Sequence, residues 1–383
     1  MGGMVGIKMS QIYRYFFLFL FFITICFFSV LSKNWGGVSA FENRRLTEWT
    51  KITDTKNVEK YISDHLPLRE KLLTIYFSLN LKLSAINQAV IEGKDGWFFK
   101  GENNTVYNLP VIPSFQNKKV LSEAQHLQII SNLQKVQAYC DENNIKFYLM
   151  FPPDKHRIYA QFMPNGILRH KNLSPKKQLT SLLPENIRLI PLEQNMIDEA
   201  KKNLYLTYYK EESHWNENGA FFAYQQLMKE IKKDFPEVNI LFKEDFVIKK
   251  EKVWNVYNVS NKPNFCNGNQ YQPKYGLKPN LYDHFIYKKQ NDIKVEWRGN
   301  FRSSVNKSGN PLSVYIVGDS FACYIHPFLS ATFRRVRSHR FNMPREVWGI
   351  KFNERKKEFE QEKPDILIFS ISDLKIKDLL KVD

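Results

Sequence analysis

Residues 314–323 read Val-Tyr-Ile-Val-Gly-Asp-Ser-Phe-Ala-Cys. An apolar run, Val314 to Val317, stops at Gly318-Asp319-Ser320, and an amphipathic pattern of Phe321, Tyr324, Phe328 and Phe333 follows directly. A buried run, a tight turn and then helical spacing predict strand, turn and helix. Such a turn lifts the Ser320 hydroxyl to the carboxyl end of a strand and to the N-terminus of a helix. Backbone N–H groups there face an anionic oxygen. A serine becomes a nucleophile only with a base beside it. The candidate base lies far upstream, in Glu212-Ser213-His214-Trp215-Asn216.

Working outward, helices and short buried strands alternate. Residues 122–143 read as a helix capped by Ser122, with Leu127, Ile130, Leu133, Val136 and Tyr139 on one face. A strand at 145–151 breaks at Pro152-Pro153 and leaves Asp154-Lys155-His156-Arg157 on a loop. A short helix at 175–183, a strand at 187–192 and a helix at 194–202 follow. The helix at 218–235 turns Phe221, Tyr224, Leu227, Met228 and Ile231 inward. Across 236–311 the alternation fades into aromatics, Asn, Lys and Pro, which reads as an irregular insertion with a few antiparallel strands. It resumes with 313–317, the helix after Ser320, a helix at 353–362 and a strand at 365–371. Near the start, residues 66–89 show helical spacing, and Gly93 to Phe99 reads as a turn into an aromatic strand. The expected fold class is α/β: an open, mostly parallel sheet flanked by helices, with one domain over 41–383 after an N-terminal segment over 1–40.

That segment contains an apolar, Phe-rich stretch at 15–32 with Lys8 and Arg14 before it. Its length suits a bilayer span, and its positive flank places the N-terminus in the cytoplasm. Val38-Ser39-Ala40 offers a competing signal-peptide cleavage pattern. The long apolar run favours an uncleaved single-pass anchor, with the domain periplasmic or extracellular. The chain of 383 residues carries a formal net charge of +17 with basic residues spread throughout. No zinc-finger, RNA-binding or basic-zipper spacing is present, so nucleic acid is a weak reading of this charge; an anionic polymer or membrane surface fits at least as well, with simple solubility as the plain alternative. Cys26 lies in the apolar stretch, and Cys140, Cys266 and Cys323 permit one internal bridge at most. Cys323 reads as helix packing. His170, His326 and His339 have no metal-ligand spacing; no metal and no cofactor is expected.

Ligands of an open parallel sheet gather beyond the carboxyl ends of its strands. Ser320 follows such an end and His214 precedes a helix, so the two can converge there. A Ser–His pair activates the alcohol and later protonates a leaving group, and Glu212 can accept from the imidazole and fix its tautomer. Lys155 is a candidate for holding an acidic sugar, against the plain alternative of a surface lysine. Trp97 and Trp215 are candidates for stacking on sugar rings, against the alternative of core aromatics. Asp319 and Tyr324, flanking the serine, are further substrate-contact candidates. Arg334, Arg335 and Arg337 suit either a polyanion or a solvated helix end.

Read in order, Glu42 to Leu46, Asp64 to Arg69, Gly93 to Phe98, Pro153-Asp154-Lys155, His214-Trp215-Asn216 with Gly219-Ala220, Gly318 to Phe321 and Pro364-Asp365-Ile366 resemble the AlgX/AlgJ-type alginate O-acetyltransferases of the SGNH-hydrolase-like superfamily. The resemblance implies a Ser–His–acid triad and acetyl transfer to a hydroxyl of an extracytoplasmic polysaccharide. It also implies a membrane-bound O-acyltransferase as acetyl donor. Two departures stand out. Glu212 occupies the place of an Asp. The strand end Ile371-Ser372-Asp373-Leu374 lacks the Asn that supplies an oxyanion-hole donor in common SGNH members, leaving the Ser320 N–H. The expectation is an O-acetyltransferase acting through Ser320, His214 and Glu212. An acetyl esterase with the same triad and a non-catalytic polymer-binding scaffold are the alternatives.

Overall fold

Residues 314–317 have no polar member on either side of the chain, so a strand built from them must be covered on both faces. The computed structural model describes residues 13, 15–23, 38–39, 44–45, 47–48, 55–65, 90–101, 111–118, 120–164, 167, 169–210, 212–253, 280–298, 301–340 and 352–382. They fall into two units, Met1–Leu83 and Ser84–Asp383. In the first, Val38–Ser39 pairs antiparallel with Arg44–Arg45. A helix spans Thr55–Asp64, and the Asp64 carboxylate accepts from Thr47 N and Oγ1 at 2.8 and 2.9 Å. Residues 15–23 are helical, but no helix among the described residues is long and apolar enough to cross a membrane. The remainder of the 15–32 stretch and the helix expected at 66–89 lie outside the described residues.

The second unit opens with an antiparallel hairpin, β1 (Val90–Glu92) and β2 (Phe98–Lys100). Helix α1 (Glu123–Glu142) carries a reciprocal cap: Ser122 Oγ accepts from Gln125 N while the Gln125 side chain accepts from Ser122 N. Next come β3 (Lys146–Met150), β4 (Arg188–Ile190), α2 (Glu193–Lys201) and α3 (Glu217–Asp234). β5 (Phe246–Val253) and β6 (Asn280–Tyr287) pair antiparallel, then β7 (Ile293–Arg298) and β8 (Phe301–Asn306) form a hairpin. β9 (Asn310–Gly318), α4 (Ser320–Thr332), β10 (Phe333–Arg340), α5 (Phe352–Glu362) and β11 (Ile366–Ser370) follow.

The main sheet has seven strands in the order β4-β3-β11-β9-β10-β8-β7. The first five are parallel, and β8 and β7 add antiparallel at the edge. This is a mixed-sheet α/β fold. Side chains alternate between two cores with the strand period of two. Tyr148, Val314, Ile316, Ile366 and Ile368 pack in the core that includes α3 and α4 residues, whereas Phe147, Tyr315, Val317, Leu367 and Phe369 pack in the other, with α1 and α5 residues.

The described residues of 236–311 hold four strands in two antiparallel pairs, one of which extends the main sheet. Three readings change. Phe333 opens β10 rather than continuing the helix, because Phe333 to Arg340 pairs with β9 on one side and β8 on the other, and ladder pairing overrides helical spacing. Arg334, Arg335 and Arg337 therefore stand on a strand, not at a helix end. In α1 the buried side is set by Ile129, Leu133, Val136 and Cys140, while Leu127 is exposed. Residues 155–158 form one helical turn with buried side chains, not an open loop.

The carboxyl ends line up in register: Met150 is opposite Ser370, Ser370 opposite Gly318, and Gly318 opposite Arg340. At Gly318 a Cβ would stand 2.6 Å from Ala322 Cβ and 2.7 Å from Ser370 O, so this strand end has room only for glycine. Gly318→Ala is expected to cost about 1–3 kcal/mol by overpacking. A thermal melt reads this directly; an unchanged melting temperature would contradict the close approach.

Candidate active site

Asp319 makes the turn after β9. Its N–H donates to Ser370 O at 3.1 Å, and its carboxylate accepts from Phe321 N and Ser372 N, each at 3.0 Å. The first N–H groups of a helix have no intrahelical acceptor. In α4, Phe321 N–H is taken by Asp319 Oδ1 and Ala322 N–H by Asp319 O, which leaves the Ser320 N–H for an oxyanion. Asp319 is 1% exposed, so it shapes the turn instead of contacting substrate as expected.

The imidazole arrives on an irregular ribbon, described over residues 205–210 and 212–216, that ends where Asn216 caps α3 by accepting from Gly219 N at 3.0 Å. Tyr159 Oη accepts from Thr207 N at 2.9 Å, Tyr208 Oη donates to Pro153 O at 2.5 Å, and Tyr282 Oη accepts from Lys210 N at 2.8 Å. The structure brings Ser320, His214 and Glu212 together. His214 Nε2 lies 2.5 Å from Ser320 Oγ, and His214 Nδ1 is hydrogen-bonded to Glu212 Oε1. The ring packs against Phe321 at 4.9 Å and lies near-parallel to Tyr324 at 5.6 Å between centroids. Ser320 is half-buried and open to solvent, whereas Glu212 and His214 are buried. A base with an oriented tautomer, an alcohol within its reach and an N–H beside that alcohol can together carry acyl transfer.

The other sequence candidates sit elsewhere. Lys155 is 1% exposed, and its ammonium donates to Phe98 O, Tyr209 O, Lys210 O and Glu212 O at 2.5–2.9 Å. It holds backbone, not an acidic sugar. Trp97 is 1% exposed and stacks on Tyr159 at 4.1 Å and Phe162 at 5.0 Å. Trp215 is fully buried, edge-on to Phe321 at 5.0 Å. Neither indole can meet a sugar ring. Tyr324 is buried against the imidazole, and burial, then Glu212 and Glu217, push its hydroxyl well above the usual range, keeping it neutral. Cys323 is disulfide-bonded, its partner lying outside the described residues. Cys140 is a buried free thiol that burial pushes up to about 12.

Sequence reasoning missed the charged interior behind the site. Burial and then Lys375 lower the Lys100 ammonium to about 8, against the raising fields of Asp154, Asp319 and Glu212. Asp373, just beyond the end of β11, has no hydrogen-bond partner for either carboxylate oxygen among the described residues. Burial and then the Asp154 charge raise it to about 7, although Arg157 Nε lies 3.8 Å away. The only sequence signal for this cluster is that ionisable residues follow apolar strand ends, at Lys100, Asp154 and Asp373.

A family model for the SGNH hydrolase-like domain of acetyltransferase AlgX matches residues 90–335, more than half of the chain. The chain belongs to this AlgX-type acetyltransferase family. Bacillus cereus PatB1 has a similar structure, at 15% identity and a TM-score of 0.56, covering 77% of this chain and 99% of that one. PatB1 with a sulfonyl adduct gives a TM-score of 0.53 over the same coverage and at the same identity. The O-acetyltransferase domain of Pseudomonas putida AlgJ gives 0.44 at 13% identity, covering 76% of this chain and 93% of that one. At 15% identity the likeness to PatB1 concerns the fold. The sequence matches none of the curated proteins.

Two predictions follow from the geometry. Lys155→Met strands four carbonyls and is expected to cost at least about 3 kcal/mol in a denaturant melt; a change within about 0.5 kcal/mol would contradict the ammonium's holding role. For Asp373, the folded carboxyl keeps its proton up to about 7 while the unfolded one releases it near 3.8. Between those values the folded state binds more protons, so this group lowers stability as pH rises through the window. Asp373→Asn should therefore raise the melting temperature relative to the parent at pH 8, with the gap closing at pH 4. A gap independent of pH would contradict the raised value.

Proposed function

We propose that this chain is an extracytoplasmic O-acetyltransferase that carries an acetyl group on Ser320 to a hydroxyl of a cell-surface or secreted polysaccharide. The observation that carries the reading is the line from Glu212 through His214 to Ser320 Oγ at the N-terminus of α4. Membership of the acetyltransferase AlgX family sets the reaction class.

In this reading Ser320 Oγ attacks the carbonyl of an acetyl ester or thioester while His214 Nε2 takes its proton. The oxyanion of the tetrahedral intermediate faces the Ser320 N–H, and Glu212 steadies the imidazolium. His214 gives the proton to the leaving group, and acetyl-Ser320 remains. A sugar hydroxyl then loses its proton to His214 Nε2 and attacks the acetyl carbonyl. The ester passes to the acceptor, and the proton returns to Ser320 Oγ. Glu212 in place of Asp fits because Glu212 and His214, two residues apart, sit on the same non-helical ribbon, where the longer arm still reaches Nδ1.

An outward-facing domain tethered by residues 15–32 is part of the proposal. Its supports are the basic residues before that stretch and the disulfide at Cys323, a bond that persists in oxidising compartments. A membrane-bound O-acyltransferase is the proposed acetyl donor.

The test is mass spectrometry of the full chain treated with an activated acetyl ester. An acetyl mass on the Ser320 peptide, absent in Ser320→Ala and His214→Ala, is expected, with transfer to added oligosaccharide falling by about 1000-fold or more in Ser320→Ala. Phenylmethylsulfonyl fluoride should modify the same peptide. Acetyl transfer at the parental rate by a folded Ser320→Ala chain would overturn the mechanism.

A further inference from the structure

The acid–base arm and the nucleophile's turn are supported by two segments, the chain beyond β3 and the chain beyond β11. Lys155, which fixes the ribbon at Glu212, follows Asp154 directly. Ser372, whose N–H holds the Asp319 carboxylate, precedes Asp373 directly. Backbone bonds join the two segments: Ile371 N donates to Met150 O at 3.0 Å, and Asp373 N to Pro152 O at 3.1 Å. Asp154 and Asp373 therefore stand where the supports of the imidazole and of the serine meet.

The two carboxyls are provided for unequally. Asp154 Oδ2 lies 2.7 Å from His156 Nδ1. Neither oxygen of Asp373 has a hydrogen-bond partner among the described residues, and its side chain is 1% exposed. Arg157 Nε is 3.8 Å from it, but that guanidinium is engaged elsewhere, donating to Asn117 Oδ1 and Ser114 O. Lys176, of the short helix Pro175–Thr180, and Glu193, which opens α2, also face Asp373, and they pair with each other at 2.5 Å. Tyr208 on the ribbon is kept neutral by burial. Lys100 of β2 and Lys375 and Asp378 of the run Asp373–Lys381 border the cluster.

A buried carboxylate without donors is costly, and two carboxyls in one dry cluster do not both ionise freely. Burial opposes ionisation of Asp154, but His156, then Arg157 and Lys100, hold it below the usual range. Burial and then the Asp154 charge push Asp373 the other way. Asp154 is thus the charged member and Asp373 the protonated one. We propose that Asp373 is a positioning residue that serves the acyl-transfer site only while it keeps its proton. Neutral, it lets the two segments lie side by side. Charged, it is repelled by Asp154, and the strain reaches Glu212 through Lys155 and the Ser320 turn through Ser372 and Asp319. Acyl transfer then falls as pH rises, with no member of the triad changed. The proposal deepens the acetyltransferase reading by giving that site a built-in response to pH, and it rests on that reading.

The experiment follows p-nitrophenyl acetate hydrolysis by the full chain from about pH 5 to 9, each kcat/KM profile read against its own maximum. The parent should fall above about pH 7, by about fivefold or more at pH 8. Asp373→Asn keeps the position neutral at every pH and should hold its maximum through pH 8. Infrared titration of the same chains reads the proton itself. In the parent, a C=O stretch of a protonated carboxyl should vanish as pH rises through about 7. That component should be missing from Asp373→Asn and should titrate at lower pH in Asp154→Asn, which lacks the repelling charge. Asp378, raised to about 6, and Lys100, lowered to about 8, titrate on either side. A fall in activity that persists in Asp373→Asn belongs to another group and would overturn the proposal. So would an infrared component near 7 that persists there, or a parent profile flat from about pH 6 to 8.5. Hydrolysis at the parental rate by a folded Ser320→Ala chain would refute the acetyltransferase reading and leave the proton assignment standing.

Discussion

The buried ammonium of Lys155 is the interaction on which the rest of the site depends. The Glu212 and His214 side chains stand on a ribbon that, among the described residues, has no helix and one isolated bridge, Tyr208 with Trp215, to order it. Such a ribbon loses backbone entropy on ordering and needs fixed contacts in return. Lys155 supplies them at Tyr209, Lys210 and Glu212, and ties the same point to Phe98 of the β1–β2 hairpin. The Trp97 and Phe99 rings, each centred 5.2 Å from the ammonium, exclude water from it. A charge in so dry a place is tolerable because the carbonyl oxygens replace its hydration. The outcome is an acid whose backbone is fixed before the imidazole meets it.

The nucleophile's side of the site is held differently. Asp319 links the turn after β9 to the turn after β11 through one carboxylate, bonded to Phe321 N in α4 and to Ser372 N beyond β11. Where relatives with the Asn element would place a side-chain donor, this chain has Ser372, whose N–H is already engaged, and Asp373, whose carboxyl is turned into a buried cluster with Asp154 and Arg157. The loss of a donor and the gain of a buried acid are thus two results of the same short segment.

Much of this architecture was legible in advance, and for physical reasons. The run at 314–317 lacks a polar face, so it could only be a central strand. Ser122 caps its helix as its side chain dictates, and the inward residues of α3 follow from their spacing. Phases and edges were harder to read. Leu127 looked inward, yet α1 is rotated so that Ile129 and Leu133 take the core. β10 holds four arginines, and nothing local marks it as a strand; its pairing with β8 and β9 does. Lys155 follows two prolines and an aspartate, which looks like surface, because backbone carbonyl acceptors leave no signature in a sequence. Trp97 and Trp215 were candidates for sugar contacts for the same reason: an indole's burial depends on what closes over it.

The placement of β11 bears on how the molecule assembles. It follows every other strand in the chain yet lies in the middle of the sheet, between β3 and β9. Until residues 366–370 take their place, the β3–β4 pair and the β7–β10 group are separate pieces with unfilled edges between them. Local contacts cannot join them, so their union waits on distant pairing, the slow step in folds of this kind. The sheet behind the serine is therefore closed only once residues 366–370 pair on both sides. Exposed strand edges in that interval are where a chaperone would be needed.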